Sequence, residues 1–453
     1  MVLQRSVGYG TLKNSTTMTA ERRTAVEAIE KQAQAASAAG RYGEALKLMA
    51  KASAAIRDQE FTPLRALDAA YTCKTDRAIL EPGQSFEVRL SQLFALDEKP
   101  QARLTATFTL ATIPTEEGAK PVETTVKAVP DLAPDWSSTP LAVKLAVPKL
   151  ADGNYSLVCA LEMAGASDKE PALRKTYRVH VETGLAAKVQ SAKARLAAAR
   201  GKLQGKDALL AELPDLEYRV ALFDLGAAGD VDPTRTDFAQ ELKDVATSLD
   251  ALEAGRSALA ARRGDFRRAY RSGVDNTLQP YRVYVPTGYD GSKEFPLVIA
   301  LHGMGGNENS YFDGYQRGAF KVEAEKRGYL VACPKGRLPA SMYMGSAEQD
   351  VLDVVAEMRK AYRVDANRIY LTGHSMGGFG TWSVAMDHPE IWAALAPISG
   401  GGNPAGMVKI ARIPQLVVHG DNDKTVAAER SRDRKSTRLN SSHIQKSRMP
   451  SSA

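Results

Sequence analysis

The sequence lacks the features that mark several large classes of protein. Its 453 residues include three cysteines and six histidines, and no closely spaced Cys or His pairs of the kind that bind zinc. No apolar run approaches the ~20 residues that a membrane-spanning helix needs. Glycine and proline, at 35 and 22 residues, are too few for a collagen-like or low-complexity chain. We therefore predict no disulfide scaffold, no membrane span and no metal site.

The remaining composition is that of an ordinary globular protein, with 44% hydrophobic and 25% charged residues. The net charge is +7, but residues 433–453 carry five basic residues against one acidic residue and supply more than half of it. A weakly basic remainder favours solubility over nucleic-acid binding, and no nucleic-acid motif is present. Residues 1–18 contain no apolar signal-peptide region and predict a disordered N-terminus. The location is left open, and export remains possible if the true start lies upstream.

Periodicity changes along the chain and predicts several domains. Residues 19–60 are rich in alanine, glutamate and lysine, which predicts a helical hairpin. Residues 64–183 contain alternating apolar and polar stretches, which predict about seven strands of an immunoglobulin-like β-sandwich with a binding or spacer role. Within it, Cys73 and Cys159 could pair in an exported protein. His180 fits an ordinary strand position.

Residues 184–264 become helical again and predict a helical linker region. An arginine cluster follows near its end, and we interpret it as a solvated helix end and linker rather than as an anion-binding patch. The cluster consists of Arg262, Arg263, Arg267, Arg268 and Arg271.

From residue 270 to residue 432, strand-like runs alternate with helix-like stretches, which predicts a mostly parallel sheet. Cys333 falls in one of these runs and is predicted to be buried. The predicted strands cover 281–285, 296–301, 329–333, 368–371, 393–398 and 415–418. The predicted helices cover 319–327, 347–361 and 377–386.

The strongest local signal is Gly-His-Ser-Met-Gly at 373–377, which has the form GxSxG and follows an apolar run. A serine at a sharp strand-to-helix turn must adopt a strained backbone, and flanking glycines remove side chains that would clash. We therefore predict that Ser375 is a nucleophile above the carboxyl end of its strand. A glycine-rich structural turn is the alternative interpretation.

A second glycine-rich sequence, His-Gly-Met-Gly-Gly at 302–306, follows another apolar strand. Acyl transfer needs two backbone N–H donors aimed at the tetrahedral oxyanion. Met376, directly after the predicted nucleophile, is expected to supply one donor, and Met304 the other. A plain turn at the strand end would also fit this pattern.

A third sequence, His-Gly-Asp-Asn-Asp at 419–423, follows the last predicted strand. A carboxylate at this position can orient a histidine and stabilise its imidazolium. We choose Asp423 for this role, with Asp421 as the second choice. An acidic surface turn is the alternative.

Taken together, LHGMGG at 301–306, YLTGHSMGG at 370–378 and VVHGDNDKTV at 417–426 resemble the α/β-hydrolase superfamily. The chain is similar to serine esterases of the polyhydroxybutyrate depolymerase, feruloyl esterase and acetyl xylan esterase type over about a third of its length. This resemblance implies an α/β-hydrolase domain over residues 270–432. It also implies a Ser–His–Asp hydrolase that needs no metal or organic cofactor, with its carboxylate on Asp423.

The resemblance implies the chain order nucleophile, acid, histidine, yet the single histidine after Asp423 is His443. No apolar strand precedes His443, so nothing in the sequence would place it at the site. Structural roles are expected for the other histidines of this region, which are His302, His374, His388 and His419. Residues 433–453 resemble translated sequencing-adapter sequence, so we expect an artefactual tail and an incomplete hydrolase domain without its catalytic histidine. A natural disordered basic tail is the alternative.

The sequence thus predicts a serine carboxylesterase that acts through an acyl-enzyme on Ser375 and is inactive or nearly so as written. Residues 399–414 are too few for a helical lid domain, which predicts an open site for polymeric or carbohydrate-linked esters. The β-sandwich could help to hold such a substrate. Two alternatives remain: a peptidase or thioesterase of the same fold, and a non-catalytic binding protein with a degenerate hydrolase domain.

Overall fold

A computed structural model gives the fold of most of the chain. The described residues are 9–10, 12–13, 15–98, 102–114, 120–163, 172–224, 238–423 and 425–432. Most of the predicted disordered segment 1–18 and all of the tail at 433–453 lie outside them. The chain divides into two compact units, which comprise residues 1–191 with 221–243, and residues 192–220 with 244–453. None of the described helices is long and apolar enough to cross a membrane.

From residue 20 onward, the described part of the first unit starts with three helices, at the place where the sequence predicts a hairpin. They are α1 (Ala20–Ala38), α2 (Tyr42–Ile56) and α3 (Pro63–Ala70). The Thr19 hydroxyl caps α1 by accepting the N–H of Arg22. Thr62 caps α3 in the same way, with Pro63 in the first turn, where its missing N–H costs nothing.

Eight strands follow in two sheets. They are β1 (Tyr71–Thr75), β2 (Ile79–Leu80), β3 (Ser85–Gln92), β4 (Leu104–Thr112), β5 (Glu123–Leu132), β6 (Leu141–Ala146), β7 (Gly153–Met163) and β8 (Leu173–Val181). One sheet has the order β1-β3-β6, and the other has the order β2-β8-β7-β4-β5. Buried side chains from both sheets share one hydrophobic cluster, which includes Phe86 and Phe108. The immunoglobulin-like assignment stays a prediction.

Cys73 and Cys159 lie in this cluster as buried free thiols, so the disulfide considered as an alternative is not formed. A hydrogen bond with Cys159, together with burial, raises the pKa of Cys73.

Four helices occupy the region predicted to be helical. They are α4 (Leu185–Lys202), α5 (Asp207–Leu210), α6 (Leu213–Asp224) and α7 (Phe238–Glu253).

The second unit contains a six-stranded mixed sheet. Its strands are β9 (Gly264–Arg271), β10 (Leu278–Val285), β11 (Phe295–Leu301), β12 (Leu330–Pro334), β13 (Val364–His374) and β14 (Ala394–Ile398), in the order β14-β13-β11-β12-β10-β9. The pairs β12–β11, β11–β13 and β13–β14 are parallel, and β10 runs antiparallel to both of its neighbours. The connecting and terminal helices are α8 (Ala319–Arg327), α9 (Ser346–Ala361), α10 (Met376–Asp387) and α11 (Glu429–Arg432).

Both faces of the parallel strands are buried. In β11, Ile299 and Leu301 belong to a cluster that also holds residues of α9 and α10, whereas Ala300 belongs to a cluster with Ala324 of α8. Successive strand residues point to opposite faces, so helices cover the sheet on both sides. Cys333 of β12 is buried, as predicted.

Two sequence-based expectations for this unit are wrong. The arginine cluster is not a solvated helix end, because Gly264–Arg271 forms edge strand β9 and both Arg267 and Arg268 are buried. Residues 415–418 do not form a full strand. They make two isolated bridges, Leu395 to Gln415 and Ile398 to Val418, and no further strand lies beyond them among the described residues.

A buried ion pair attaches β9 to a helix from the preceding helical region. The Arg268 Nε lies 3.0 Å from the Asp215 Oδ2, and the two side chains are only 2% and 5% exposed. The other oxygen of Asp215 accepts the N–H of Ala269 at 2.6 Å. The guanidinium also stacks over the ring of Tyr281. A buried arginine of this kind depends on its carboxylate, since removal of one partner leaves an uncompensated charge.

We expect Asp215→Asn to lower the free energy of unfolding by about 3–5 kcal/mol, because Arg268 then keeps its charge without a counter-ion. Urea unfolding of the full chain measures this loss. Asp250→Asn is the control, because Asp250 pairs with Arg195 but is 69% exposed. It should cost less than about 1 kcal/mol. Equal losses in the two variants would contradict the structural role given to Asp215.

Candidate active site

Ser375 lies between β13 and α10 in a backbone conformation that serine rarely adopts. Its φ is 55° and its ψ is −115°. Positive φ places the Cβ against the backbone and stores strain. The N–H of Ser375 donates to the carbonyl oxygen of Ile398 at 2.9 Å. The side chain is half-buried, and its hydroxyl has no hydrogen-bond partner among the described residues.

The glycines beside Ser375 are required by close packing of the backbone. A Cβ at Gly377 would overlap the carbonyl oxygen of Leu301, and a Cβ at Gly373 would overlap that of Gly377. A Cβ at Gly378 would come too close to the carbonyl oxygen of Ile398. The first turn of α10 therefore lies directly against the strand ends. A side chain at these glycine positions would clash, as the sequence pattern predicts.

The glycine-rich loop at 302–306 lies at the same edge of the sheet as Ser375. Leu301 pairs with Gly373 in the parallel register of β11 and β13, so the two strands end side by side. The carboxyl ends of parallel strands are where α/β proteins place their reactive groups. Two of the three sequence motifs are thus brought together.

Several backbone N–H groups of this loop already donate hydrogen bonds to other parts of the protein. The N–H of Gly303 donates to the Tyr315 hydroxyl at 2.9 Å, and that of Gly305 donates to the carbonyl oxygen of Pro339 at 2.8 Å. The N–H of Met304 has no partner within the described part of the chain. This amide therefore remains able to bind a substrate oxygen.

The second candidate donor is the N–H of Met376, the first residue of α10. The side chain of Met376 is buried, whereas that of Met304 is 42% exposed. First-turn amides have no partner within a helix, and they carry the positive end of the helix dipole. Negative charge that develops beside Ser375 would be stabilised there.

The carboxylate of Asp423 accepts two backbone hydrogen bonds on its Oδ1, from Thr425 and Val426, each at 2.9 Å. Its Oδ2 lies 3.5 Å from the Nε2 of His419. These contacts hold Asp423 in a fixed orientation beyond the end of β14. Asp421, the second choice, is exposed.

His302 and His419 are both engaged by neighbouring groups. The ring nitrogens of His302 lie 2.8 Å from the carbonyl oxygens of Gly303 and Lys335. The Nδ1 of His419 lies 2.6 Å from the hydroxyl of Ser431, and its Nε2 lies 2.7 Å from a carbonyl oxygen. Both rings therefore serve local structure, as their sequence positions predict.

His374 is the histidine with an open ring nitrogen beside the serine. Its Nδ1 is buried and has no hydrogen-bond partner among the described residues. Burial lowers the pKa of His374, and the charge of Asp423 acts in the opposite direction. The ring packs edge-on against Tyr315, with the centroids 5.4 Å apart. Its neutral form is favoured, and the Asp423 carboxylate is close enough to influence it.

The remaining histidines have other surroundings. His388 ends α10 and pairs with Glu348 at 3.2 Å. His180 belongs to the first unit, where its ring lies between Asn154 and Glu182. The last histidine of the sequence, at 443, lies outside the described residues.

Sequence reasoning missed two tyrosines that support the loop at 302–306. Tyr315 accepts the Gly303 amide, and Tyr343 is fully buried with its hydroxyl directed at the carbonyl oxygen of His302, at 3.4 Å. A Cβ at Gly380 of α10 would collide with the Tyr343 ring. Neither tyrosine belongs to a motif, so their roles depend on contacts that a local pattern does not contain.

Comparison with known proteins identifies the class of enzyme that this segment resembles. Residues 282–388 match the BD-FAE family model. The chain is 33% identical over 165 residues to the bifunctional acetylxylan esterase/xylanase XynS20E of Neocallimastix patriciarum. This alignment covers 35% of this chain and 23% of the relative. The match confirms the resemblance to esterases of the acetyl xylan esterase type.

Further relatives are also carboxylic ester hydrolases. A probable feruloyl esterase C of Aspergillus terreus is 28% identical over 34% of this chain and 58% of its own length. Poly(3-hydroxyalkanoate) depolymerase C of Paucimonas lemoignei is 27% identical over 27% of this chain and 31% of its own length. A thermostable esterase of known structure aligns with 80% of this chain and 86% of its own, at 16% identity and a TM-score of 0.36. The chain spans 23 to 58% of the length of the three sequence relatives.

The strain at Ser375 predicts an unusual stability order. Ser375→Gly should be more stable than Ser375→Ala by about 1 kcal/mol, because glycine accepts positive φ without the Cβ clash while alanine retains it. Equilibrium unfolding of the two full-length variants measures the difference. At Ser191, an exposed position inside α4, the order should reverse, because glycine is a poorer helix former than alanine. The same order at both positions would show that Ser375 is unstrained.

Proposed function

We propose that this chain is a serine carboxylesterase whose nucleophile is Ser375. The observation that carries the proposal is the strained turn, which leaves an unpartnered hydroxyl beside the first amides of α10. The N–H groups of Met304 and Met376 are the proposed oxyanion donors, and Asp423 is the proposed acid. The esterase relatives support this choice of reaction.

The proposed reaction begins when a base removes the proton of the Ser375 hydroxyl. The oxygen then attacks the ester carbonyl carbon, and the carbonyl electrons move onto the oxygen held by Met304 and Met376. Collapse of this intermediate breaks the bond to the alcohol, which leaves with a proton from the base. Water then repeats the same steps on the acyl-enzyme and releases the acid.

We further propose that the general base of this reaction is missing from the described residues. His302 and His419 already contact carbonyl oxygens, and His388 pairs with a glutamate. His374 is half-buried, and its buried, unpartnered Nδ1 faces the loop at Gly303. A positioned base contributes about 10²–10⁴-fold to a reaction of this kind, so the chain as it stands should be slow.

External imidazole should therefore accelerate the hydrolysis of p-nitrophenyl acetate by the full chain, because it supplies the absent base. Mass spectrometry should find acetyl on the peptide that contains Ser375. Ser375→Ala should abolish the acetylation and lower hydrolysis to the rate of imidazole without protein, whereas Ser383→Ala, in the same helix, should keep both signals. Hydrolysis above that protein-free rate in Ser375→Ala would rule out this nucleophile. No rate above the protein-free imidazole rate in the unsubstituted chain would favour a non-catalytic binding protein.

The class of bond that is cleaved can be tested under the same conditions. The esterase relatives favour esters, including esters linked to carbohydrate or polymer, and the segment between β14 and Pro414 contains only a short 3₁₀ helix, Pro404–Ile410, in place of a helical lid. We expect p-nitrophenyl acyl esters to be hydrolysed and aminoacyl anilides to remain intact. Faster cleavage of the anilides would indicate a peptidase instead.

A further inference from the structure

The segment that follows the glycine-rich loop has a strained backbone. A short π-helix at Ser310–Gly314 leads into Tyr315, and the next residues, Gln316 and Arg317, have φ values of 48° and 54°. Consecutive left-handed residues other than glycine are costly and persist only when surrounding contacts impose them. Contacts elsewhere in the second unit must therefore hold Gln316 and Arg317 in this conformation.

Arg282 on β10 anchors this segment. Its Nη1 donates to the Oδ1 of Asn309 at 2.7 Å and lies 3.1 Å from the Oδ2 of Asp313. The other side of the guanidinium is fixed by Asp265, at 2.6 and 2.9 Å. The side chain of Arg282 is buried and stacks over the ring of Phe312. Charge-assisted bonds on both sides make this a rigid support.

The anchored segment delivers Tyr315 to the candidate site. The Tyr315 hydroxyl accepts the N–H of Gly303 at 2.9 Å, and its ring lies edge-on against His374. A Cβ at Gly303 would lie 3.1 Å from this hydroxyl and 3.3 Å from the His374 Nδ1. Burial raises the pKa of Tyr315, so the hydroxyl stays protonated at neutral pH. Tyr315 therefore lies between the oxyanion loop and the residue that precedes Ser375.

The peptide between Gly303 and Met304 is held on its other side as well. The carbonyl oxygen of Gly303 accepts the N–H of Gly306 at 3.0 Å and lies 2.8 Å from the Nδ1 of His302. In a trans peptide the N–H points opposite to the C=O. The N–H of Met304 is thus directed away from His302 and Gly306. Glycine has a soft φ, so a second restraint on the Gly303 N–H is needed to fix that direction.

We propose that Tyr315 is a positioning residue of the oxyanion loop, which fixes the N–H of Met304 toward the reacting oxygen by accepting the N–H of Gly303. This inference rests on the proposed esterase function. On this proposal, the strained backbone at 316–317 allows the ring of Tyr315 to reach the loop. It also explains why a side chain at position 303 would be crowded.

Tyr315→Phe in the full chain tests this role, and Tyr289→Phe is the matched control. The Tyr289 hydroxyl accepts the N–H of Arg363 at 2.9 Å, so the control removes a hydrogen bond of the same kind away from the serine. We expect faster amide exchange at Gly303, followed by mass spectrometry, in Tyr315→Phe alone. The imidazole-dependent acylation of Ser375 by p-nitrophenyl acetate should slow by about 10- to 100-fold at saturation, with an unchanged half-saturating ester concentration.

The possible outcomes separate the two proposals. Unchanged exchange at Gly303, unchanged acylation, or equal slowing in Tyr289→Phe would overturn the role of Tyr315. A rise in the half-saturating concentration alone would also overturn it, because it would indicate a substrate contact rather than an oriented donor. Absence of acylation in the unsubstituted chain would overturn the esterase function itself, and this inference with it, before any substitution is made.

Discussion

The close approach of α10 to the end of β11 determines the geometry of the candidate site. Because Gly377 has no Cβ, the helix starts directly against the carbonyl oxygen of Leu301. That approach leaves Ser375 a turn with positive φ. It also brings Gly377 close to the glycine-rich loop, since a Cβ there would lie 2.9 Å from the carbonyl oxygen of His302. The helix buries a large face that includes Trp382, and this burial offsets the strain of the turn.

Sequence reasoning was successful where the signal is local. Glycines beside a serine after an apolar strand predicted the turn at 373–377, and the predicted helix at 319–327 has the observed bounds. It was unsuccessful where a residue's role depends on distant partners. Arg268 looked solvated because its counter-ion, Asp215, lies 53 positions earlier in the sequence, in helix α6. Tyr315 likewise acquires its role from a sheet arginine and a loop amide.

The match to the BD-FAE family model falls in one of the two units. The BD-FAE match covers residues 282–388, all within the second unit, which contains every residue of the candidate site. The first unit has its own hydrophobic cluster, built from both of its sheets. Substrate chemistry is therefore inferred from the second unit alone.

The ion pair between Asp215 and Arg268 determines where a shorter fragment of this chain could begin. The sequence pattern suggests that a minimal catalytic fragment could start near residue 270. Such a fragment would remove most of edge strand β9 and all of α6, and it would uncover the ring of Tyr281. The second unit includes residues 192–220, so the shortest self-sufficient fragment has to begin upstream of them. Part of the helical region that the sequence predicts as a linker therefore belongs to the interior of the second unit.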